Sequence, residues 1–115
     1  SFEERRAFLQ EVTRGMENLR IHSFDGLLVQ YAKENHVNVI IRGLRAVADF
    51  EYEYQMALMN RNLDECIETV FMMPCEKYSF ISSKLIKEVS SFGGNVKGMV
   101  PDVVFSALRN KFMKA

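Results

Sequence analysis

Two arginines three residues apart, Arg42 and Arg45, follow an apolar β-branched run, Val39-Ile40-Ile41, and enclose Gly43 and Leu44. Guanidinium groups hold phosphate oxygens by charge-assisted, often bidentate hydrogen bonds. Gly43 lets the backbone come close to a ligand. Three carboxylates, Asp49, Glu51 and Glu53, come next in a helical pattern. The residues alone leave two readings. Either the arginines bind phosphate, or they pair with these carboxylates as surface ion pairs of nearly neutral energy.

A second stretch, Tyr78-Ser79-Phe80-Ile81-Ser82-Ser83-Lys84, places successive serines before a helical pattern. Hydroxyls and unpaired N–H groups at a helix N-terminus are the ingredients of an anion site. They are equally the ingredients of an ordinary N-cap. What is absent narrows the chemistry. The chain has no Gly-x-x-x-x-Gly-Lys-Ser/Thr loop, no Gly-x-Gly-x-x-Gly and no spacing that suggests a covalent nucleophile. Arginines, serines and loop N–H groups suit transfer of a phosphorus group, which needs positioning and charge stabilisation more than covalent help. The acidic run reads as a solvated first helical turn rather than a metal site. The seven methionines, Met56, Met59, Met72 and Met73 among them, read as core and gap-filling residues. Cys66 and Cys75 lack metal-type spacing and read as reduced thiols. His22 and His36 are isolated.

The elements that must position these residues follow from periodicity. Ser1-Phe2-Glu3-Glu4 is a capping-box pattern that opens a helix carrying Phe8, Leu9, Val12 and Met16. Leu19–Phe24 alternates and predicts a strand, broken by Asp25-Gly26. Leu27, Leu28, Tyr31 and Ala32 predict a short helix, and Val37–Ile41 a second strand. A long helix is expected from about Val47 to Asn62, with Phe50, Tyr54, Ala57, Leu58 and Met59 among its apolar positions. Ile67–Met73 predicts a third strand, closed by Pro74. Leu85, Ile86 and Val89 belong to a helix stopped by Gly93-Gly94, and a last helix starts at Pro101-Asp102 with Val104, Leu108 and Phe112 on one face. Alternation of this kind implies an α/β fold with a parallel sheet. If so, the arginine turn and the serine loop follow successive strands and can share the ligand edge. A chain of this class that opens on a helix is expected to lack its first β-α-β unit.

The 115 residues suffice for one domain, and 48% hydrophobic with 26% charged residues is ordinary for a globular chain. Fifteen basic residues balance fifteen acidic ones, which argues against a nucleic-acid binder with a broad basic surface. No apolar run is long enough to span a bilayer and no signal peptide is visible, so a cytoplasmic protein is expected.

The stretch Ile41–Glu53, together with Tyr78–Ser83, resembles the phosphopantetheine adenylyltransferases of bacterial coenzyme A synthesis, and in looser form the resemblance covers the whole chain. It implies a Rossmann-like nucleotidyltransferase fold, with a parallel sheet and helices on both faces. It implies a reaction in which ATP and 4′-phosphopantetheine give dephospho-coenzyme A and pyrophosphate, with Mg²⁺, in a homohexamer of two trimers. By the same resemblance Arg42 contacts the phosphate of phosphopantetheine, and Leu28 lies beside its pantetheine arm. Gly43, Leu44, Arg45 and Glu53 contact ATP, and Tyr78, Ser79, Phe80, Ile81, Ser82, Ser83 and Lys84 form a second ATP loop. The family often has serine or threonine where Lys84 stands. Its Gly-Thr/Ser-Phe-Asp-Pro loop, its catalytic histidine and a substrate-binding lysine are not in this sequence. Residues 1–115 are therefore expected to be one truncated domain that is inactive alone, with no catalytic residue of its own. The alternatives are a non-catalytic remnant keeping oligomer contacts and weak nucleotide binding, or an adenylyltransferase with another acceptor.

Overall fold

The computed structural model describes residues 1–112. In chain order the elements are α1 (Phe2–Val12), α2 (Leu28–Glu34), β1 (Val39–Gly43), α3 (Val47–Leu63), β2 (Glu68–Met72), a 3₁₀ turn (Glu76–Tyr78), α4 (Ser83–Ser91) and α5 (Asp102–Phe112). They fall into two compact units. One contains Phe24–Phe80, and the other Ser1–Ser23 with the chain from Ile81 onward.

The Phe24–Phe80 unit is an α/β unit. β1 and β2 pair in parallel, from Val39 opposite Glu68 to Gly43 opposite Met72. Parallel neighbours need a crossover, and α3 supplies it. The apolar centre is small: Val29 and Ala32 of α2, Ile40 of β1 and Ile67 beside β2, with Leu28 packed against them. α2 is closed by a left-handed residue, His36 at φ 56°. The His36 N–H donates to the Lys33 carbonyl at 3.1 Å, and the Val37 N–H to the Ala32 carbonyl at 2.8 Å. This double closure turns the chain straight into β1.

Three expectations need correction here. Leu19–Phe24 forms no strand, and the described sheet has two strands rather than three. Alternation supplies a face but not a partner, and no other strand pairs with this segment among the described residues. Phe24 instead stacks on Tyr31, centroids 4.5 Å apart. Second, the two strands run Val39–Gly43 and Glu68–Met72 rather than Val37–Ile41 and Ile67–Met73, and the crossover helix α3 buries no apolar stripe. Phe50, Tyr54, Leu58 and Met59 are exposed, and the buried residue of α3 is Glu53. Third, Met59, Met72 and Met73 lie at the surface, not in a core. Val39, Ile41, Val70 and Met72 are exposed together, because they occupy one face of the sheet by the period-2 rule. The buried face of α2 is set by Val29 and Ala32, with Leu27 exposed just before the helix.

The other unit is helical. Ser1 caps α1 through the expected box, its hydroxyl accepting from the Glu4 N–H at 3.1 Å. Glu4 also meets Lys111 of α5, whose Nζ lies 3.0 Å from Oε2. α4 buries Ile86 and Ser90, while Leu85 is exposed. α4 ends as α2 does: the Gly93 N–H donates to the Ser90 carbonyl and the Gly94 N–H to the Val89 carbonyl. Gly93 has φ 81°, and a Cβ on Gly94 would stand 2.4 Å from the Val89 side chain, so both glycines are required by this turn. α5 begins one residue after Pro101, packs on α1 and α4, and half-buries Val104 and Leu108.

Candidate functional site

β1 runs two residues further than expected, so Arg42 and Gly43 belong to the strand itself. Side chains alternate along a strand, and Arg42 therefore shares the face of buried Ile40 rather than that of exposed Ile41. On this face it meets Glu53, two turns into α3. The guanidinium Nε lies 2.9 Å from Oε2 and Nη2 lies 2.6 Å from Oε1. This is the bidentate geometry that makes an arginine–carboxylate pair strong. Glu53 is buried, its side chain 11% exposed, whereas the Arg42 side chain is 44% exposed. Hydrogen bonds from Arg42 pull the Glu53 carboxyl below its ordinary range against the opposing effect of burial. The same hydrogen bonds raise the Arg42 guanidinium above its ordinary value.

Arg45 meets Asp49, four residues on, at 3.4 Å between exposed groups. Exposed pairs typically contribute about 0.2–1 kcal/mol. The Leu44 N–H donates to the Met72 carbonyl at 2.9 Å. That amide is used by the fold, which leaves the Leu44 side chain and carbonyl for a ligand. Thus both arginines take carboxylate partners, as one of the two readings of the residues had it, but the pairs differ in kind. One is anchored and half-buried; the other joins the turn before α3 to the first turn of that helix.

The serine stretch divides between local roles. The Ser79 hydroxyl donates to the Glu76 carbonyl at 2.9 Å, closing the 3₁₀ turn. The Ser82 hydroxyl accepts from the Leu85 N–H at 3.1 Å and caps α4. Tyr78, Phe80, Ser83 and Lys84 are exposed. Ile81 and Ser83, with α1, α4 and α5, line a cavity of about 620 Å³ in the helical unit. Its wall is mainly apolar, with Phe2, Phe8, Val104 and Leu108 among its residues, unlike the polar cradle a triphosphate needs. Leu28 is half-buried against the α2–β1 centre. Among the described residues, no three His, Cys, Asp or Glu side chains gather as a metal cluster. Cys66 and Cys75 are free and exposed.

The Arg42–Glu53 pairing was open in the sequence among three candidate carboxylates. Its local signal lies in the strand register: Arg42 is two residues from Ile40 and must point the same way.

Comparison with known proteins gives the same family at two levels. Residues 1–89 match the cytidylyltransferase-like family. The phosphopantetheine adenylyltransferase of Thermodesulfovibrio yellowstonii is 54% identical over 112 residues, covering 97% of this chain and 70% of that protein. That of Clostridium tetani is 51% identical over 96% of this chain and 69% of its own length. That of Caldanaerobacter subterraneus subsp. tengcongensis is 49% identical over the whole chain and 72% of its own length. With a parallel β-α-β unit whose first strand carries an anchored arginine, and about half of its residues shared with these proteins, the chain belongs to the phosphopantetheine adenylyltransferase family within the cytidylyltransferase-like group.

Proposed function

We propose that this chain carries the activity its relatives are named for, transfer of the adenylyl group of ATP to 4′-phosphopantetheine. A phosphate oxygen of the acceptor attacks the α-phosphorus in line, a new P–O bond forms, and the bond to the β-phosphate bridging oxygen breaks. The products are dephospho-coenzyme A and pyrophosphate. The observation that carries this reading is the identity of about half over essentially the whole chain. The anchored, half-exposed Arg42 supports it as a group able to receive a phosphate.

In this reading Arg42 binds the acceptor phosphate and Leu28 borders the pantetheine arm. Gly43, Leu44, Arg45 and Glu53 lie on the ATP side, with Tyr78 through Lys84 as a second ATP loop. Mg²⁺ enters as the ion on the ATP phosphates, where it neutralises charge; the described residues offer no three-ligand cluster of their own for it. The same reading includes a homohexamer of two trimers and a cytoplasmic location, in keeping with the lack of any described helix long and apolar enough to cross a membrane.

The test is formation of dephospho-coenzyme A and pyrophosphate, in equal amounts, by the natural full-length protein given ATP and 4′-phosphopantetheine; residues 1–115 alone are expected to give little or none. Pyrophosphate release that does not depend on the acceptor, or no product at all, would overturn it.

A further inference from the structure

Arginine carries five N–H donors in one rigid plane. Glu53 takes two of Arg42's, one on Nε and one on Nη2. The two on Nη1 and the second on Nη2 remain. Exposure divides in the same way: the carboxylate is nearly covered and the guanidinium is almost half open. The pair is thus an anchor with a free working edge. A flexible arginine on an exposed strand end must lose its rotamer freedom when it binds a ligand. An arginine already clamped has lost it beforehand.

We infer that Glu53 is a positioning residue for Arg42, holding one edge of the guanidinium so that the remaining donors are set for the acceptor's phosphate. The identity of the acceptor rests on the adenylyl-transfer reading; the clamp itself rests on the two hydrogen bonds between Arg42 and Glu53. A carboxylate has about four acceptor positions and Arg42 occupies two, so a contact from Glu53 to ATP remains compatible with the clamp. The inference also predicts a sign. Glu53 partly cancels the charge of Arg42. If charge alone governed acceptor binding, neutralising Glu53 would tighten it. If orientation governs, neutralising Glu53 weakens it.

The experiment is steady-state kinetics of the natural full-length protein and its Glu53→Gln, Glu53→Asp and Arg42→Ala variants, each substrate varied in turn, with circular dichroism to establish folding. In Glu53→Gln the KM for 4′-phosphopantetheine should rise at least fivefold, and by more than the KM for ATP. Glu53→Asp, which keeps the carboxylate, should recover part of that loss. In an Arg42→Ala background, Glu53→Gln should add no further effect on acceptor affinity, measured by calorimetric titration of phosphopantetheine. An unchanged or lowered acceptor KM, a change in the ATP KM alone, or losses that multiply in the double variant would overturn the positioning role. If Glu53→Gln fails to fold, Glu53→Asp carries the test: an acceptor KM equal to that of the parent would overturn the inference, and a moderate rise would support it. Lack of product from the unsubstituted full-length protein is a different failure, and strikes the adenylyl-transfer reading instead.

Discussion

Leu44 and Met72 are joined across the end of the sheet, the Leu44 N–H donating to the Met72 carbonyl at 2.9 Å just beyond Gly43, which is registered with Met72. The strand end that carries Arg42 and the start of the turn leading to Arg45 are therefore held by backbone. Side chains there can be exchanged without redirecting the loop, which makes substitutions informative about chemistry.

Arg42→Lys should weaken use of 4′-phosphopantetheine by about 1–3 kcal/mol in kcat/KM, the range for a hydrogen bond to a charged group. Lysine keeps the charge but cannot span both oxygens of Glu53 and present a planar edge at once. Kinetics with varied acceptor decide this, and an unchanged kcat/KM would take Arg42 out of the site.

Ser83 is the first residue of α4, and Ser82 before it is extended at φ −133° and ψ 155°. Proline is tolerated at a first helical position and favours an extended predecessor. Ser83→Pro should therefore fold, with one N–H fewer for a nucleotide. ATP affinity should fall in Ser83→Pro and less so in Ser83→Ala, read by calorimetric titration. Equal affinities would leave the loop with its capping role alone.

The Arg42–Glu53 pair also makes stability depend on pH. Glu53 is held below its ordinary range in the folded chain, so the unfolded chain takes up its proton first as pH falls. The contribution is complete above the unfolded carboxyl value of about 4.3 and is lost as pH falls from there through the lowered folded value. Urea midpoints for the parent and Glu53→Gln should differ most at neutral pH and converge in acid. A difference that persists unchanged at low pH would mean that ionisation of Glu53 contributes nothing.

Ile67, 2% exposed, closes the small apolar centre of the Phe24–Phe80 unit. Ile67→Ala should cost about 2–5 kcal/mol in chemical denaturation, as other buried large-to-small changes do. Ile41→Ala, at a position 65% exposed in the next strand, should cost far less. Similar losses at both positions would contradict the burial pattern.

Local signals were legible in proportion to how local the interaction is. The capping box at Ser1 and the glycine stop after α4 each involve neighbours within a few residues, and each is found. Leu19–Phe24 has the alternation of a strand, but a strand exists only by pairing, and pairing is not written in the segment. Which side of α3 is buried was not legible for a related reason. Phe50 and Tyr54 stack on each other at 5.8 Å and stay exposed, while a carboxylate is buried because an arginine from β1 meets it. Burial of a charge is decided by its partner, here eleven residues away. For the candidate site, the residue types were readable from the chain, whereas the division into an anchored Arg42 and an exposed Arg45 required coordinates.

The parallel pairing of β1 with β2 has a consequence for the order in which the chain folds. An antiparallel hairpin can begin pairing at its turn and zip outward. This ladder cannot begin until the chain has travelled through α3 and come back, so closure entropy is spent before any ladder bond forms. A helix of 17 residues is about 25 Å long at 1.5 Å per residue, and forming it early replaces a floppy excursion with a rod. Folding of this unit is then governed by how readily α3 nucleates. Alanine-to-glycine exchange at exposed Ala48 on α3 should slow refolding more than it speeds unfolding, giving a φ-value well above one half in stopped-flow chevrons.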